Sequence, residues 1–439
     1  MIRHKSKLTL VPLAAATFFM VSGGPFGIEE VIQSSGYKLG MALLCLIPLV
    51  WSLPTGLMVG ELSAAIPAEG GFYIWVGRAL GPFWGFQEAW LSLTASIFDM
   101  AAYPAVFVLS LGQILPTATQ GHNGVLISAA VIAACMIWNL FGARAVGAGS
   151  ILLGVLLLSP FVVITLIAIL RHPALAAATA SASRAHPDLL AGVLVAMWNY
   201  MGWDNASTVA GEVENPQRTY PRVMILALVA IVAAYVIPVA AVWSTHVQPG
   251  FWSTGSWAGI ASLLGGPWLG IALVVGVMIS TVGMVNSLTM SYSRLPFAMA
   301  EDGYAPRLLT RRLSNGAPWV SIVACGSAWM LALGMSFDRL LMLDILLYGA
   351  SLVLEFIALV VLRISEPALN RPFTIPGGVV GAILAGVGPT ALLIVAAIKN
   401  RNEQIGHISA LGLGLILMAT GVVCYFVVAK MKHRRHTTV

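Results

Sequence analysis

The residues best suited to chemistry in this sequence are acidic side chains that fall inside long apolar runs. Five stand out: Glu29 and Glu30, Asp99, Asp204 and Glu355. No Lys or Arg accompanies them in the interior of those runs, and the eight histidines lie in loops or near the chain ends. An ionisable group inside a membrane is costly and marks a pathway by default. Carboxylates without basic partners therefore predict a cavity that attracts a cation or holds protons, the alternative being carboxylates hydrogen-bonded for packing.

Aromatic side chains surround Asp204. The stretch MWNYMGWDNASTVAGEVENPQRTYPR, residues 197–222, places Trp198, Tyr200 and Trp203 around a helix interruption at Gly202. Aromatic faces attract ammonium groups, and a neighbouring carboxylate adds charge pairing. The pattern predicts an amine cage. The alternative is an aromatic interface between helices, because three rings within six residues cannot all face one way.

A second interruption, Gly23-Gly24-Pro25 with Gly27, lies in the first apolar run. Backbone N–H groups freed by a broken helix can bind a substrate carboxylate. Pro25 has no N–H to offer. A carboxylate site is weakened but stays possible, because Gly23, Gly24, Phe26 and Gly27 keep their donors.

Composition places all of these residues in a membrane. Of 439 residues, 59% are hydrophobic and 9% are charged, whereas soluble domains average roughly 45–50% and 25%. Apolar runs of about 20 residues, enough for a helix to cross about 30 Å of hydrocarbon, recur from end to end. We therefore expect an all-α integral membrane protein that keeps its first span. The net charge of +6 is interpreted as a mark of topology and not of nucleic-acid binding.

An enzyme is not expected, because the spans contain no Ser/His/Asp set and no phosphate-binding loop. Cys45, Cys135, Cys325 and Cys424 fall inside apolar runs at spacings that match no metal motif. They are interpreted as packing residues, and no metal or cofactor is predicted. A channel would show a continuous polar stripe along several helices, whereas the acids here are isolated.

Twelve spans are predicted, which puts both termini on one side of the membrane. The predicted spans are 8–36, 39–60, 82–114, 124–142, 147–170, 189–213, 222–245, 267–293, 318–335, 338–362, 378–398 and 408–429. Most of the 23 Lys and Arg residues fall in loops on the side of the termini, so the positive-inside rule makes the termini, 1–7 and 430–439, cytoplasmic. A plasma or bacterial inner membrane is expected.

The two interruptions occupy corresponding places in the chain. If each lies in the first helix of a five-helix repeat, the repeats run over 8–170 and 189–362, with opposite orientation. Helices eleven and twelve, 378–429, then fall outside the repeat. Inverted repeats with discontinuous first helices are typical of alternating-access carriers, whose substrate binds at the breaks near the membrane midplane.

These motifs resemble the amino acid-polyamine-organocation superfamily, and most closely its polyamine:proton symporters known from plants and protozoa. The resemblance covers most of the chain. It rests on SGGPFGIEE at 22–30, ELSAAIPAEGGFYIWV at 61–76, FDMAAYPAVF at 98–107, MWNYMGWDNASTVAGEVENPQRTYP at 197–221, AMAEDGYAP at 298–306, LLYGASLVLEFIALVVLRISEP at 346–367 and RPFTIP at 371–376.

The resemblance implies a leucine-transporter-type fold of five plus five helices with two more, and proton-coupled uptake. It also implies a set of substrate-facing residues: Gly23, Gly24 and Phe26 from the first helix, Asp99 and Tyr103 from the third, Trp198, Asn199, Trp203 and Asp204 from the sixth, and Glu355 from the tenth. Plant members often carry an acid in the eighth helix where this chain has Asn286. The missing charge fits a shorter diamine or an amino acid. The fifth-span lysine that serves some members as a sodium surrogate is also absent.

The hypothesis that follows is a symporter for polyamines or related organic cations. An ammonium group would bind between Asp99, Glu355 and the sixth-helix aromatics, while a proton moves on a neighbouring carboxylate. Asp204 is the first candidate for the proton, with Glu30 and Glu29 next. The expected partners are a small cationic substrate, protons and membrane lipid. The alternative is an amino-acid carrier of the same superfamily, working by symport or exchange.

Overall fold

The computed structural model describes residues 7–171, 188–335, 337–399, 404–405 and 408–437. Most of the predicted N-terminal segment 1–7, and the end of the predicted tail 430–439, therefore lie outside the described residues. Within the described ranges the chain is helical apart from one short antiparallel hairpin of β1 and β2.

The helices and strands follow one another along the chain without large loops in the described part. They are α1 Leu10–Val21, α2 Glu29–Ile47, α3 Leu53–Ala65, α4 Phe72–Leu80, α5 Pro82–Ile114, α6 His122–Asn139, α7 Ala143–Arg171, α8 Leu189–Trp198, α9 Pro216–Trp243, α10 Ser256–Gly265, α11 Pro267–Tyr292, α12 Arg294–Glu301, α13 Trp319–Trp329, α14 Phe337–Ser365, α15 Gly378–Lys399, β1 Gln404–Ile405, β2 Ile408–Ser409 and α16 Ala410–Thr437.

Short non-α segments join some of these helices. A π-helical turn, Pro48–Ser52, makes α2 and α3 continuous, and the 3-10 turns are Pro116–Thr119, Trp203–Thr208, Ala210–Glu212, Pro249–Phe251, Arg307–Thr310 and Met330–Ala332.

Nine helices in the described part are long and apolar enough to cross a membrane. Each overlaps one of the predicted spans, so the prediction of a multi-pass helical membrane protein is confirmed. Three predicted spans, 8–36, 189–213 and 318–335, contain shorter apolar helices instead. The first two are short because the chain leaves the helix at the interruptions predicted from the glycines.

Local sequence explains where several helices begin or bend. Proline occupies the first turn of α5, α9 and α11, where its missing amide has no helical partner to lose. Inside α2, Gly36 has a φ of 71°, which a residue without a Cβ adopts readily. The kink there separates the predicted first and second spans.

The core of the bundle forms around α5, which packs along α14 and α11. α1 lies against α7, α9 and α11, so the first interruption faces the centre of the protein. α15 and α16 contact the core on one side and expose apolar side chains such as Leu384 and Val423 on the other. An exposed apolar face of this kind is expected where the surrounding solvent is lipid.

Candidate functional site

The first interruption lies between α1 and α2, where two glycines adopt left-handed conformations. Gly24 has a φ of 76° and Gly27 a φ of 88°. Backbone groups freed at membrane depth must find partners inside the protein. The Gly24 amide donates to Ser22 Oγ at 3.0 Å, and the Gly27 amide donates to Glu29 Oε2 at 2.6 Å. Glu29 thus occupies, with its own carboxylate, an amide that the sequence offered for a substrate anion.

The freed carbonyls of this interruption accept hydrogen bonds from three other helices. Ser280 Oγ of α11 donates to Gly23 O at 2.6 Å, and Trp257 Nε1 of α10 donates to Pro25 O at 2.6 Å. Asn199 Nδ2, at the end of α8, donates to Gly27 O at 3.1 Å. The break is therefore held in one shape by its neighbours.

The second interruption begins after α8 and turns at Gly202, whose φ is 95°. The Gly202 amide donates to the Tyr348 hydroxyl at 3.0 Å, and that hydroxyl donates to Asp204 Oδ1 at 2.5 Å. Tyr348 belongs to α14. One tyrosine therefore connects the second break to the helix that packs along α5.

Two of the three aromatics predicted to form an amine cage stabilise the second break instead. The Tyr200 carbonyl accepts from Trp51 Nε1 at 3.0 Å and from Trp203 Nε1 at 2.9 Å. The rings of Tyr200 and Trp203 are fully buried away from the cavity described next, whereas Trp198 lines it. An indole N–H is a suitable donor for a carbonyl that a broken helix leaves free.

A cavity of about 560 Å³ lies between the two breaks, within the range of roughly 300–1,000 Å³ that is usual for small-molecule sites. Its lining reaches from Gly23 and Gly202 to Glu30, Gln113 and Thr254, where Thr254 Oγ1 hydrogen-bonds the Glu30 carboxylate. These outer residues lie at the ends of helices opposite to the end at which the chain begins. The cavity is therefore extended toward that face.

Four carboxylates line the cavity: Glu29, Glu30, Asp99 and Asp344. Among the described residues that line it there is no Lys, Arg or His. The electrostatic field of such a cavity favours cations and disfavours anions.

Asp99 and Asp344 form what we call the outer acid pair, contributed by α5 and α14. Their side chains are buried, and their charges act on each other. Tyr292 Oη donates to Asp99 Oδ2 at 3.3 Å, and the Tyr103 hydroxyl lies beside the same carboxylate. Asp344 was missed in the sequence analysis, although an acid in the apolar run 343–362 was a signal of the same kind as Asp99.

The structure brings together part of the predicted site. The predicted substrate-facing and proton-coupling residues that line the cavity are Gly23, Phe26, Glu29, Glu30, Asp99, Tyr103, Trp198 and Asn199. The predicted residues that do not line it are Gly24, Trp203, Asp204, Asn286 and Glu355.

The residues outside the lining have structural surroundings of their own. Asn286 accepts from Asn139 Nδ2 at 2.8 Å and so joins α11 to α6. Asp204 lies behind Tyr348, which does line the cavity. Glu355 is fully buried, with no hydrogen-bond partner for either carboxylate oxygen among the described residues. For Glu355 to touch a substrate, the cavity wall would have to rearrange.

Ion pairs hold together the opposite face, where the chain begins. Arg294 Nη2 lies 2.9 Å from Glu212 Oε1, and Arg312 Nη2 lies 2.7 Å from Glu69 Oε2. Burial, reinforced by the charge of Glu212, raises the pKa of the Glu69 loop carboxyl, and Arg312 opposes that shift. No residue of these pairs lines the cavity.

Comparison with known proteins places this arrangement among transporters. The sequence profile of a family described as "Amino acid permease" matches residues 15–427. Polyamine transporter RMV1 of Arabidopsis thaliana is 34% identical over 415 residues, 94% of this chain and 84% of the relative. Polyamine transporter PUT1 of Oryza sativa subsp. japonica is 34% identical over 412 residues, 93% of this chain and 77% of the relative.

A more distant relative carries a different description. Serine/threonine exchanger SteT of Bacillus subtilis (strain 168) is 25% identical over 392 residues, which is 87% of each chain.

Proposed function

We propose that this chain, which belongs to the amino acid permease family, carries polyamines or related organic cations across a membrane. Its membership confirms the resemblance drawn from its motifs, and it makes the chain a multi-pass membrane transporter. The observation that carries the substrate proposal is the cavity lining, which contains four carboxylates and, among the described residues, no cationic side chain. The names of the two plant relatives agree with it.

In the proposed complex, the outer acid pair holds the ammonium groups. A charged hydrogen bond between an ammonium and a carboxylate is stronger than one between neutral groups, and burial reduces competition from water. The Tyr292 hydroxyl already donates to Asp99 and would share that carboxylate with the amine. The indole of Trp198, which also lines the cavity, offers an aromatic face to a cation.

A second candidate function is amino-acid transport, favoured by the relative named a serine/threonine exchanger. It needs a place for the substrate carboxylate. Glu29 and Ser22 already accept from the Gly27 and Gly24 amides, which leaves the amides of Gly23 and Phe26 in the cavity wall for that role. The same Glu29 carboxylate would repel a substrate anion, so the amine is preferred.

Transport is proposed to proceed by alternating access through twelve crossings. The nine long helices would be joined by three interrupted or short spans: α1 with the start of α2, α8 with the 3-10 turns after it, and α13. The proposed inverted repeats, 8–170 and 189–362, would rock about the two breaks, with helices 378–429 outside them. Both termini are proposed to be cytoplasmic, in a plasma or bacterial inner membrane.

Coupling to protons is part of the proposal. A proton moving on a carboxylate would let a pH gradient drive uptake, and the candidates from sequence are Asp204, Glu30 and Glu29. Glu29 and Glu30 are in the cavity wall, and Asp204 is one hydrogen bond behind it through Tyr348.

The substrate class is tested by counterflow of labelled putrescine into liposomes that contain the purified protein. Unlabelled putrescine and spermidine should compete, arginine should compete weakly, and leucine should not. Protein-free liposomes report leakage. Competition by leucine or serine without competition by putrescine would establish the amino-acid carrier in place of the amine carrier.

A further inference from the structure

Two further acids lie behind the cavity wall, and they repeat the arrangement of the outer acid pair. Glu88 is on α5 and Glu355 is on α14, the two helices that also carry Asp99 and Asp344. Each of the two glutamates is eleven residues from the aspartate on its own helix. Eleven residues are close to three helical turns, or about 16 Å of rise, so the four acids lie on matching faces of the two packed helices.

Glu88 and Glu355, which we call the inner acid pair, are sealed from solvent and incompletely hydrogen-bonded. Both are fully buried. Ser92 Oγ donates weakly to Glu88 Oε1 at 3.4 Å, while Glu88 Oε2 and both oxygens of Glu355 have no partner among the described residues. Ser351, one turn before Glu355, lies beside Glu88.

The charges around the inner acid pair are all of one sign. Asp204 acts on both glutamates, and they act on each other. The titratable hydroxyl of Tyr348 also faces Glu355, and it already donates to Asp204.

The basic residues at the nearby helix ends have other partners. Arg363 of α14 binds Glu61 of α3, and Arg78 of α4 binds Glu366 at 2.6 Å. Arg363 is eight residues beyond Glu355, about 12 Å along the helix. The described ends of α15 and α16 carry Lys399, which pairs with Asp188 at 3.6 Å, and Lys432, which lies over a tyrosine ring. No cation is therefore positioned to neutralise the inner acid pair.

A buried carboxylate with no hydrogen bond and no counter-ion is unfavourable, and a second one beside it more so. A protonated carboxyl removes the charge and supplies a donor for the neighbouring oxygen. We propose that the inner acid pair is the proton-binding site that couples transport, with Glu355 as its main proton carrier. This assignment rests on the proposed function and differs from the sequence-based candidates Asp204, Glu30 and Glu29.

The same two helices connect this proton site to the substrate site. An amine held by Asp99 and Asp344 pulls on α5 and α14, and any change in their packing alters the burial of Glu88 and Glu355. Tyr348, four residues after Asp344 on α14, carries the link onward to Asp204. A proton can thus be bound in one conformation and released in another without contacting the substrate.

The test compares Glu355→Gln and Glu88→Gln with the parent in liposomes whose membrane potential is held at zero. A carrier that moves one proton per substrate concentrates it about tenfold per pH unit, since one unit is worth about 1.4 kcal/mol. Each variant should retain putrescine counterflow but lose accumulation driven by the pH gradient. Glu366→Gln, which neutralises an exposed acid at the end of α14, should behave as the parent does.

The outcomes separate this proposal from the proposed function. Absence of counterflow in the parent contradicts the function itself. Parent-like accumulation by both Gln variants, or accumulation driven by a sodium gradient, overturns the proton assignment while leaving the transport function intact. If a Gln variant loses counterflow as well, Glu355→Asp decides: accumulation that returns with the acid supports the assignment, and loss in that variant too shows a structural role and overturns it.

An infrared measurement tests protonation without transport. The C=O band of a buried protonated carboxyl should be present in the parent and weaker in Glu355→Gln. An identical band in the variant would overturn the proposal even if counterflow failed in every sample.

Discussion

Neutralising one member of the outer acid pair should convert a diamine site into a monoamine site. Asp99→Asn and Asp344→Asn keep the size of each side chain and remove one charge from the cavity. Because the two acids come from different helices and both line the cavity, a diamine can place one ammonium on each. A monoamine of equal length can use only one of them.

The expected magnitude follows from the burial of the two acids. Two unit charges at about 4 Å and an effective dielectric constant of about 20 interact by about 4 kcal/mol. Asp99 and Asp344 are 7% and 5% exposed, so screening is limited, but the cavity admits water and the neutral asparagine still hydrogen-bonds the amine. A loss of about 2–4 kcal/mol corresponds to a putrescine affinity lower by roughly 30-fold to 1,000-fold.

The assay is equilibrium binding of putrescine and butylamine to purified protein. Both single variants should lose putrescine affinity by the stated factor, whereas butylamine should be weakened strongly in only one of them. The double variant should show a coupling energy between the two sites for putrescine. Asp302→Asn, the same substitution on the face where the chain begins, should bind both amines as the parent does, because its Oδ2 position accepts from Tyr73 and an amide oxygen can do the same.

A different result would refute the argument. If putrescine binds both single variants within about twofold of the parent, a difference of only about 0.4 kcal/mol, the outer acid pair is structural. If Asp344→Asn weakens putrescine and butylamine equally, Asp344 does not hold a separate ammonium.

Three other variants test neighbouring parts of the argument. Glu29→Ala frees the Gly27 amide that Glu29 now occupies, so serine affinity should rise relative to ethanolamine in binding assays, and an unchanged ratio would remove this amide from the substrate site. Asp204→Asn should retain counterflow and slow uptake driven by a pH gradient, and uptake equal to the parent's would exclude Asp204 from the proton path. The hydrogen bond from Arg78 lowers the pKa of Glu366 below its ordinary value, so the stabilisation is present above the pKa of the unfolded carboxyl and is lost as pH falls. Glu366→Gln should therefore lower the melting temperature at neutral pH and not in acid, and an equal effect at both would show that the charge is not responsible.

The sequence was sufficient for the features that depend on neighbouring residues along the chain. Long apolar runs predicted α5 and α11 almost to their observed ends, because a helix in lipid must satisfy its own backbone over the membrane thickness. Glycines predicted both interruptions, since residues such as Gly27 and Gly202 adopt left-handed conformations that a Cβ disfavours. Acids in apolar runs predicted a cation pathway, and Asp99 lies in the cavity as expected.

Only the tertiary structure decided what each of those residues faces. Glu355 and Asp99 look alike in sequence, yet one is sealed behind the wall beside Glu88 and the other lines the cavity. Trp203 and Trp198 belong to one aromatic motif, but the indole of Trp203 donates to a freed carbonyl of the break. The physical reason is that composition and backbone conformation are set by near neighbours along the chain, whereas the direction of a side chain depends on how its helix is rotated against the others.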